Sequence, residues 1–197
     1  SRAASSIPSR HPATAREPCG NPSLERVAPP CPVFGDCGGC RLQHIPYAAQ
    51  LAWKRDRVRA ALAAHGLPMD MDVVPPTLGM AEPWGFRNQM RFAVNREGQP
   101  GLTAYGTHRV IPLAHCPIAQ PPINAALAAL SRAPNPRPQV LVRCGAHTGE
   151  ILVQPAPSGA VAAALVDAGI TPRTDGLHEQ LHDLTFAMRP SSFFQTN

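Results

Sequence analysis

At 197 residues the chain has room for one medium domain or two small ones, and 44% hydrophobic residues are enough for a buried core. Its net charge of +5 rests on arginine, since Lys54 is the only lysine; that favours an anionic partner without separating nucleic acid from a solvated basic surface. No apolar run reaches the roughly 20 residues of a membrane helix, and the N-terminus lacks the apolar segment of a secretory signal, so the expected setting is the cytoplasm, with no membrane partner.

In chain order, residues 1–30 are rich in Ser, Ala, Pro and Arg with only Ile7, Leu24 and Val27 as large aliphatics, and read as a disordered head or a remnant. A glycine-rich cysteine loop runs from Cys31 to His44. Tyr47 to His65 reads as a helix ended by Gly66 and Pro68, with an apolar stripe of Leu51, Val58, Ala61 and Leu62. Lys54, Arg55, Arg57 and Arg59 flank that stripe, and a solvated helix face is favoured over an RNA-contacting one for them. Met90–Val94, Leu102–Tyr105 and Arg109–Leu113 then read as short strands. Ile123–Leu130 reads as a helix, and Val140–Arg143 with Ile151–Val153 as a hairpin across Gly145–Gly149. Ala160–Ala168 is a further helix closed by Gly169, and Leu184–Met188 a last strand. His178 and His182 lie in a stretch that reads as strand rather than helix, which argues against a metal-binding pair. The order predicts an α+β fold: a cysteine loop and helix over 31–66, then a mixed α+β central domain over 67–188.

Cys31-x5-Cys37-Gly38-Gly39-Cys40 is the densest chemical signal. Six cysteines in a reducing setting point to metal or catalysis before disulfides. Three thiolates so close in sequence converge on one centre only if the backbone turns sharply, and Gly38 and Gly39 are expected to supply that turn through positive φ. Cys116 is the expected fourth ligand, because Pro117 holds it extended. Spacing leaves three readings open: a 4Fe-4S cluster, a tetrahedral zinc site, and unligated thiols. Cys144 ends an apolar strand and reads as a small core residue; Cys19 falls in the head and fits no ligand pattern.

The stretch from Cys31 to His44 resembles the iron–sulfur loop of bacterial S-adenosylmethionine-dependent RNA uracil-C5 methyltransferases, of the type that acts on 23S rRNA. Three more segments match in the same order: Trp84-Gly-Phe86-Arg87-Asn88-Gln-Met-Arg91-Phe, His115-Cys116-Pro117-Ile118, and Arg189-Pro190-Ser191-Ser192-Phe193-Phe194-Gln195-Thr196-Asn197. The resemblance implies a 4Fe-4S cluster on Cys31, Cys37, Cys40 and Cys116, and makes Gln195 a contact to S-adenosylmethionine. It implies RNA contact by Arg87, Arg91 and Phe86. In that family a cysteine thiolate adds to C6 of a uridine, C5 takes the methyl group, and a base removes the C5 proton.

The chain departs from the pattern at both ends. It stops at Asn197, ahead of the family's glycine-rich cofactor loop and nucleophilic cysteine, and residues 1–30 do not read as the small β-barrel that opens many members. Residues 189–197 are therefore expected to be the truncated start of a Rossmann-like cofactor domain, and the 197-residue chain alone is expected to be inactive. No catalytic residue is assigned within it, and no obligate protein partner is evident. The rival reading is a non-enzymatic, metal-stabilised RNA-binding module.

Overall fold

A computed structural model describes residues 26–67, 73–192 and 194. Most of the head lies outside these residues, as do Cys19 and Gln195. Where the head is described, it is tied down: Val27 donates its amide to the His44 carbonyl at 3.0 Å.

The first helix, α1, spans Tyr47–Ala64. Its Ala, Leu, Gln and Arg content favours helix, and it ends in a Schellman motif. Gly66, at φ 73°, donates to Ala63 and Leu67 donates to Leu62. The predicted apolar stripe is not a packed face. No residue of α1 is buried; Val58 is 51% exposed, and only its half-covered residues, Leu51 and Leu62 among them, have neighbours. The reason is that, among the described residues, no strand or helix packs extensively against it. A returning strap, residues 73–80, runs alongside instead. Thr77 donates to the Leu51 carbonyl at 3.0 Å, Arg55 Nε to the Val74 carbonyl at 2.8 Å, and the Met80 amide to the Tyr47 hydroxyl at 2.9 Å. Arg57 stands 5.2 Å above the Trp53 ring on the solvent side.

Five antiparallel strands form the centre: β1 (Gln89–Val94), β2 (Pro100–Thr103), β3 (Val110–Pro112), β4 (Gln139–Cys144) and β5 (Ile151–Gln154), in the order β3-β2-β1-β4-β5. Met90 pairs with Val142 and Phe92 with Val140, so one face of the sheet is a continuous apolar surface. Helices α2 (Pro121–Leu130) and α3 (Gly159–Asp167) cover it. α2 starts two residues earlier than Ile123, because Pro121 and Pro122 occupy first-turn positions where a missing N–H costs nothing. α3 ends on the same Schellman pattern as α1, at Gly169 and Ile170. The buried core joins Met90, Phe92, Ile123, Leu127, Leu130, Val140, Val142 and Leu165. At about 2 kcal/mol for each fully buried large aliphatic, this layer dominates the fold's stability.

A hairpin of β6 (Leu177–Leu181) and β7 (Leu184–Met188) packs on the opposite face of the sheet through Leu177 and Met188 against Leu152. Here β4 is covered on both sides, and every residue after Gln139 is buried. At the β1–β2–β3 end the same face stays open.

Candidate functional site

The cysteine loop is a set of tight turns docked on the end of β2. The Phe34 amide donates to the Cys31 carbonyl and the Cys37 amide to the Val33 carbonyl. The sharp reversal falls on Gly35, at φ 96°, not on Gly38 or Gly39, neither of which has a positive φ. This corrects the expectation for that pair. Gly38 makes a close approach instead: its amide donates to the Thr103 carbonyl at 3.1 Å, and a Cβ there would sit in tight contact, 3.3 Å from that oxygen. Gly39 aims its amide at Cys37 Sγ, 3.4 Å away. Tyr105 completes the dock by donating its amide to the Asp36 carbonyl at 2.8 Å.

Cys116 arrives from the other side, on the segment between β3 and α2, and is buried. Asn124 of α2 fixes this segment. Its Oδ1 accepts from the Cys116 amide at 2.8 Å, and its Nδ2 donates to the Cys116 and Ala119 carbonyls, each at 3.1 Å. Gln43, also buried, accepts from the Cys31 amide at 3.3 Å. Gln50 of α1 donates to the Leu42 and Ile45 carbonyls at 3.0 and 2.9 Å, which locks the loop to the helix.

All four predicted thiols line one cavity, closed by Leu102, Leu113, His115 and Ile118. Burial pushes the Cys37 and Cys116 thiols up. Backbone amides at Gly39, and at Ile118 and Ala119, pull the other way, while neighbouring Cys40 and Cys31 add to the rise. Among the described residues, no three His, Cys, Asp or Glu side chains form a group able to hold a metal ion. Cys144 is elsewhere. It is fully buried, donates to Gln120 Oε1 at 3.0 Å, and burial pushes its thiol up to about 12. It is a core thiol, as its place in an apolar strand suggests.

The structure joins the Trp84–Asn88 stretch to the Cys116 segment. Gly85 donates to the Pro117 carbonyl at 2.9 Å, Arg87 to the Ile118 carbonyl at 2.8 Å, and Gln120 to the Arg87 carbonyl at 2.9 Å. The Arg87 side chain is exposed beside this seam. Arg91 lies on the open sheet face, also exposed, and donates to Gln139 Oε1 at 3.1 Å. Phe86 is half-buried against the main core, so much of its ring area is committed to packing. A groove of about 450 Å³ opens between Gly38–Gly39 and the 102–108 segment. At its edge Arg41 stands 4.8 Å over the exposed Tyr105 ring.

Sequence reasoning missed Asn124, Gln43 and Arg143. Each had a signal: an amide inside the apolar PPINAALAAL helix, a Gln beside the cysteine loop, and a charge inside the apolar run Val140–Cys144. Buried Asn88, whose Nδ2 has no partner among the described residues, was quoted only as part of a motif.

No protein-family model matches the chain. It is 40% identical over 108 residues to an uncharacterized RNA methyltransferase of Halalkalibacterium halodurans, covering 53% of this chain and 23% of that protein. It is 34% identical over 163 residues to an uncharacterized RNA methyltransferase of Thermosynechococcus vestitus, covering 73% of this chain and 36% of that protein. The chain thus spans about a quarter to a third of these relatives' lengths. Among solved structures it resembles the Pyrococcus abyssi tRNA (uracil-54, C5)-methyltransferase in complex with S-adenosyl-L-homocysteine. That likeness has a TM-score of 0.58 at 21% identity, over 88% of this chain and 48% of that one, and establishes a shared fold. By sequence the chain is similar to part of these RNA methyltransferases, and by fold to part of a solved one.

Proposed function

We propose that the chain is the RNA-holding region of an S-adenosylmethionine-dependent uracil-C5 methyltransferase acting on 23S rRNA in the cytoplasm. In this reading Cys31, Cys37, Cys40 and Cys116 bind one 4Fe-4S cluster. The observation that carries it is the convergence on one cavity of three thiols from a single loop and a fourth, Cys116, from a distant segment. A tetrahedral zinc site needs all its thiolates about 2.3 Å from a single point and more commonly draws them from two Cys-x2–4-Cys knuckles, of which this sequence has one. A cluster takes each thiolate at a different iron and so asks for a wider ring of sulfurs. The amides facing Cys37 and Cys116 suit thiolates, and thiols pushed up by burial and by one another gain most from a cationic group between them.

RNA contact is supported by Arg87 beside the cysteine cavity, Arg91 on the open sheet, and the groove edged by Arg41 and Tyr105. Guanidinium forks suit phosphates, and an exposed ring suits an unstacked base. S-adenosylmethionine, when bound, supplies the methyl group; Gln195 is proposed to contact it. Protein purified without oxygen should be brown and hold about four irons per chain. A colourless protein with one tight zinc would end the cluster reading. RNA affinity should fall with salt, and the slope should lose about 0.7 log units per log unit of salt for each phosphate contact removed by Arg87→Ala or Arg91→Ala.

A further inference from the structure

Arg143 sits in β4 between Val142 and Cys144 with no solvent exposure. Burial pulls its pKa down, and the charge of Glu179 pulls it up from a distance. Among the described residues no carboxylate lies within ion-pair reach of it. Its donors go instead to one stretch of chain. Nη1 donates to the Ser192 carbonyl at 2.8 Å and Nη2 to the Phe194 carbonyl at 3.0 Å, with Met188 Sδ at 3.3 Å from Nη2. Among the described residues its Nε has no partner. A cation buried without an adjacent acid is costly, and an apolar residue of similar size often serves stability better. What the guanidinium adds is geometry: a rigid fork that holds two carbonyls at a set spacing.

Those carbonyls stand immediately before Gln195. We infer that Arg143 is a positioning residue for the cofactor site, presetting the backbone that leads into Gln195 so that the cofactor need not order it. This rests on the reading of Gln195 given above. β4 is hydrogen-bonded on both edges, to β1 and to β5, and buried along its length after Gln139, so the clamp ties a lightly buried segment to an interior strand of the sheet.

In the 197-residue chain, Arg143→Met should speed amide exchange at 189–194 by about tenfold while β1 and α2 keep their protection. Unchanged exchange at 189–194 overturns the clamp. In the protein continued to the length of its relatives, Arg143→Met should raise the dissociation constant for S-adenosylmethionine about tenfold. It should leave kcat at saturating cofactor unchanged and not lower Tm. Arg143→Lys, which keeps the charge but not the fork, should recover only part of the affinity, and it carries the same measurements if the methionine variant fails to fold. A lower Tm with unaltered cofactor affinity overturns the inference. Gln195→Ala separates it from the reading beneath it. Weaker binding in Gln195→Ala alone overturns this inference only; no loss in either variant overturns both.

Discussion

The longest helix of the molecule and the one at its core are built on opposite terms. α1 runs for 18 residues and buries none of them, whereas α2 has 10 residues and buries Ile123, Ala126, Leu127, Ala129 and Leu130. α2 is held by area removed from water. α1 is held by directional contacts: Gln50 to the cysteine loop, and Tyr47, Leu51 and Arg55 to the strap. Helical propensity shapes such an element but stabilises it weakly, since isolated helices of this length are marginal in water. On the cluster proposal the cysteine loop anchors α1 at its N-terminal end, so ligation takes the part that burial plays for α2.

The sharpest way to break this contrast is Cys37→Ser. Coordination in small structural metal sites contributes on the order of 10 kcal/mol of folding free energy. The variant should lose its iron and its amide-exchange protection across 31–67 while the α2–β1–β4 layer remains protected. Equal loss in both regions would mean that the core depends on the cysteine loop too. Within the core, Leu127→Ala should cost about 2–5 kcal/mol, read as a lower unfolding midpoint, because the site is fully buried. Asn124→Ala probes the seam between the two regions. It removes three hydrogen bonds, taking the partner of the Cys116 amide and one donor each from the Cys116 and Ala119 carbonyls, for about 1–3 kcal/mol and, on the cluster proposal, reduced iron occupancy. Retained iron with full stability would show that Cys116 is placed by its own backbone.

Acid gives a smaller and more gradual effect. Burial would raise the Glu179 carboxyl, but hydrogen bonds from the Ala146, His147 and Gln180 amides and the His147 ring outweigh it, and its pKa is lowered. Its contribution is therefore complete above the ordinary glutamate range and fades as pH falls through the lower folded-state value. Denaturant titrations from neutral to acid pH should lose less stability in Glu179→Gln than in the parent; identical slopes would remove Glu179 from the acid response. Smallest of all is Val58→Ala. At 51% exposure on α1 it should change stability by no more than about 0.5 kcal/mol. A cost like that of Leu127→Ala would show that α1 has a packed face after all.

These two regions were unequally legible in the sequence. Short apolar runs between turn residues located β1, β4 and β5 to within one or two residues, because these strands are built into the buried core. In α1 helical spacing misled: Leu51, Val58 and Leu62 have it, but none of them is buried, and the strap beside the helix is irregular chain that no periodicity announces. Gly38 marks another limit. Composition does not distinguish a glycine needed for positive φ from one that makes a close approach, and the Thr103 carbonyl that decides the matter lies far away in sequence. Cys116 was readable from its Cys-Pro pair and the family resemblance, while Asn124, which holds it, was hidden by an apolar helix. Arg143 was visible as an anomaly, but the carbonyls that explain it became apparent only once β4 and the 188–194 stretch were brought together.

The placement of the two tryptophans gives each region its own optical label. Trp53 lies on α1 beneath Arg57, and Trp84 precedes β1 where the chain joins the Cys116 segment. In Trp84→Phe the only indole left is on the helix that leans on the cysteine loop. In Trp53→Phe the only one left is beside the sheet. Emission from these two single-tryptophan chains during iron chelation would time the release of α1 separately from any loosening of the core, in one cuvette and without labelling.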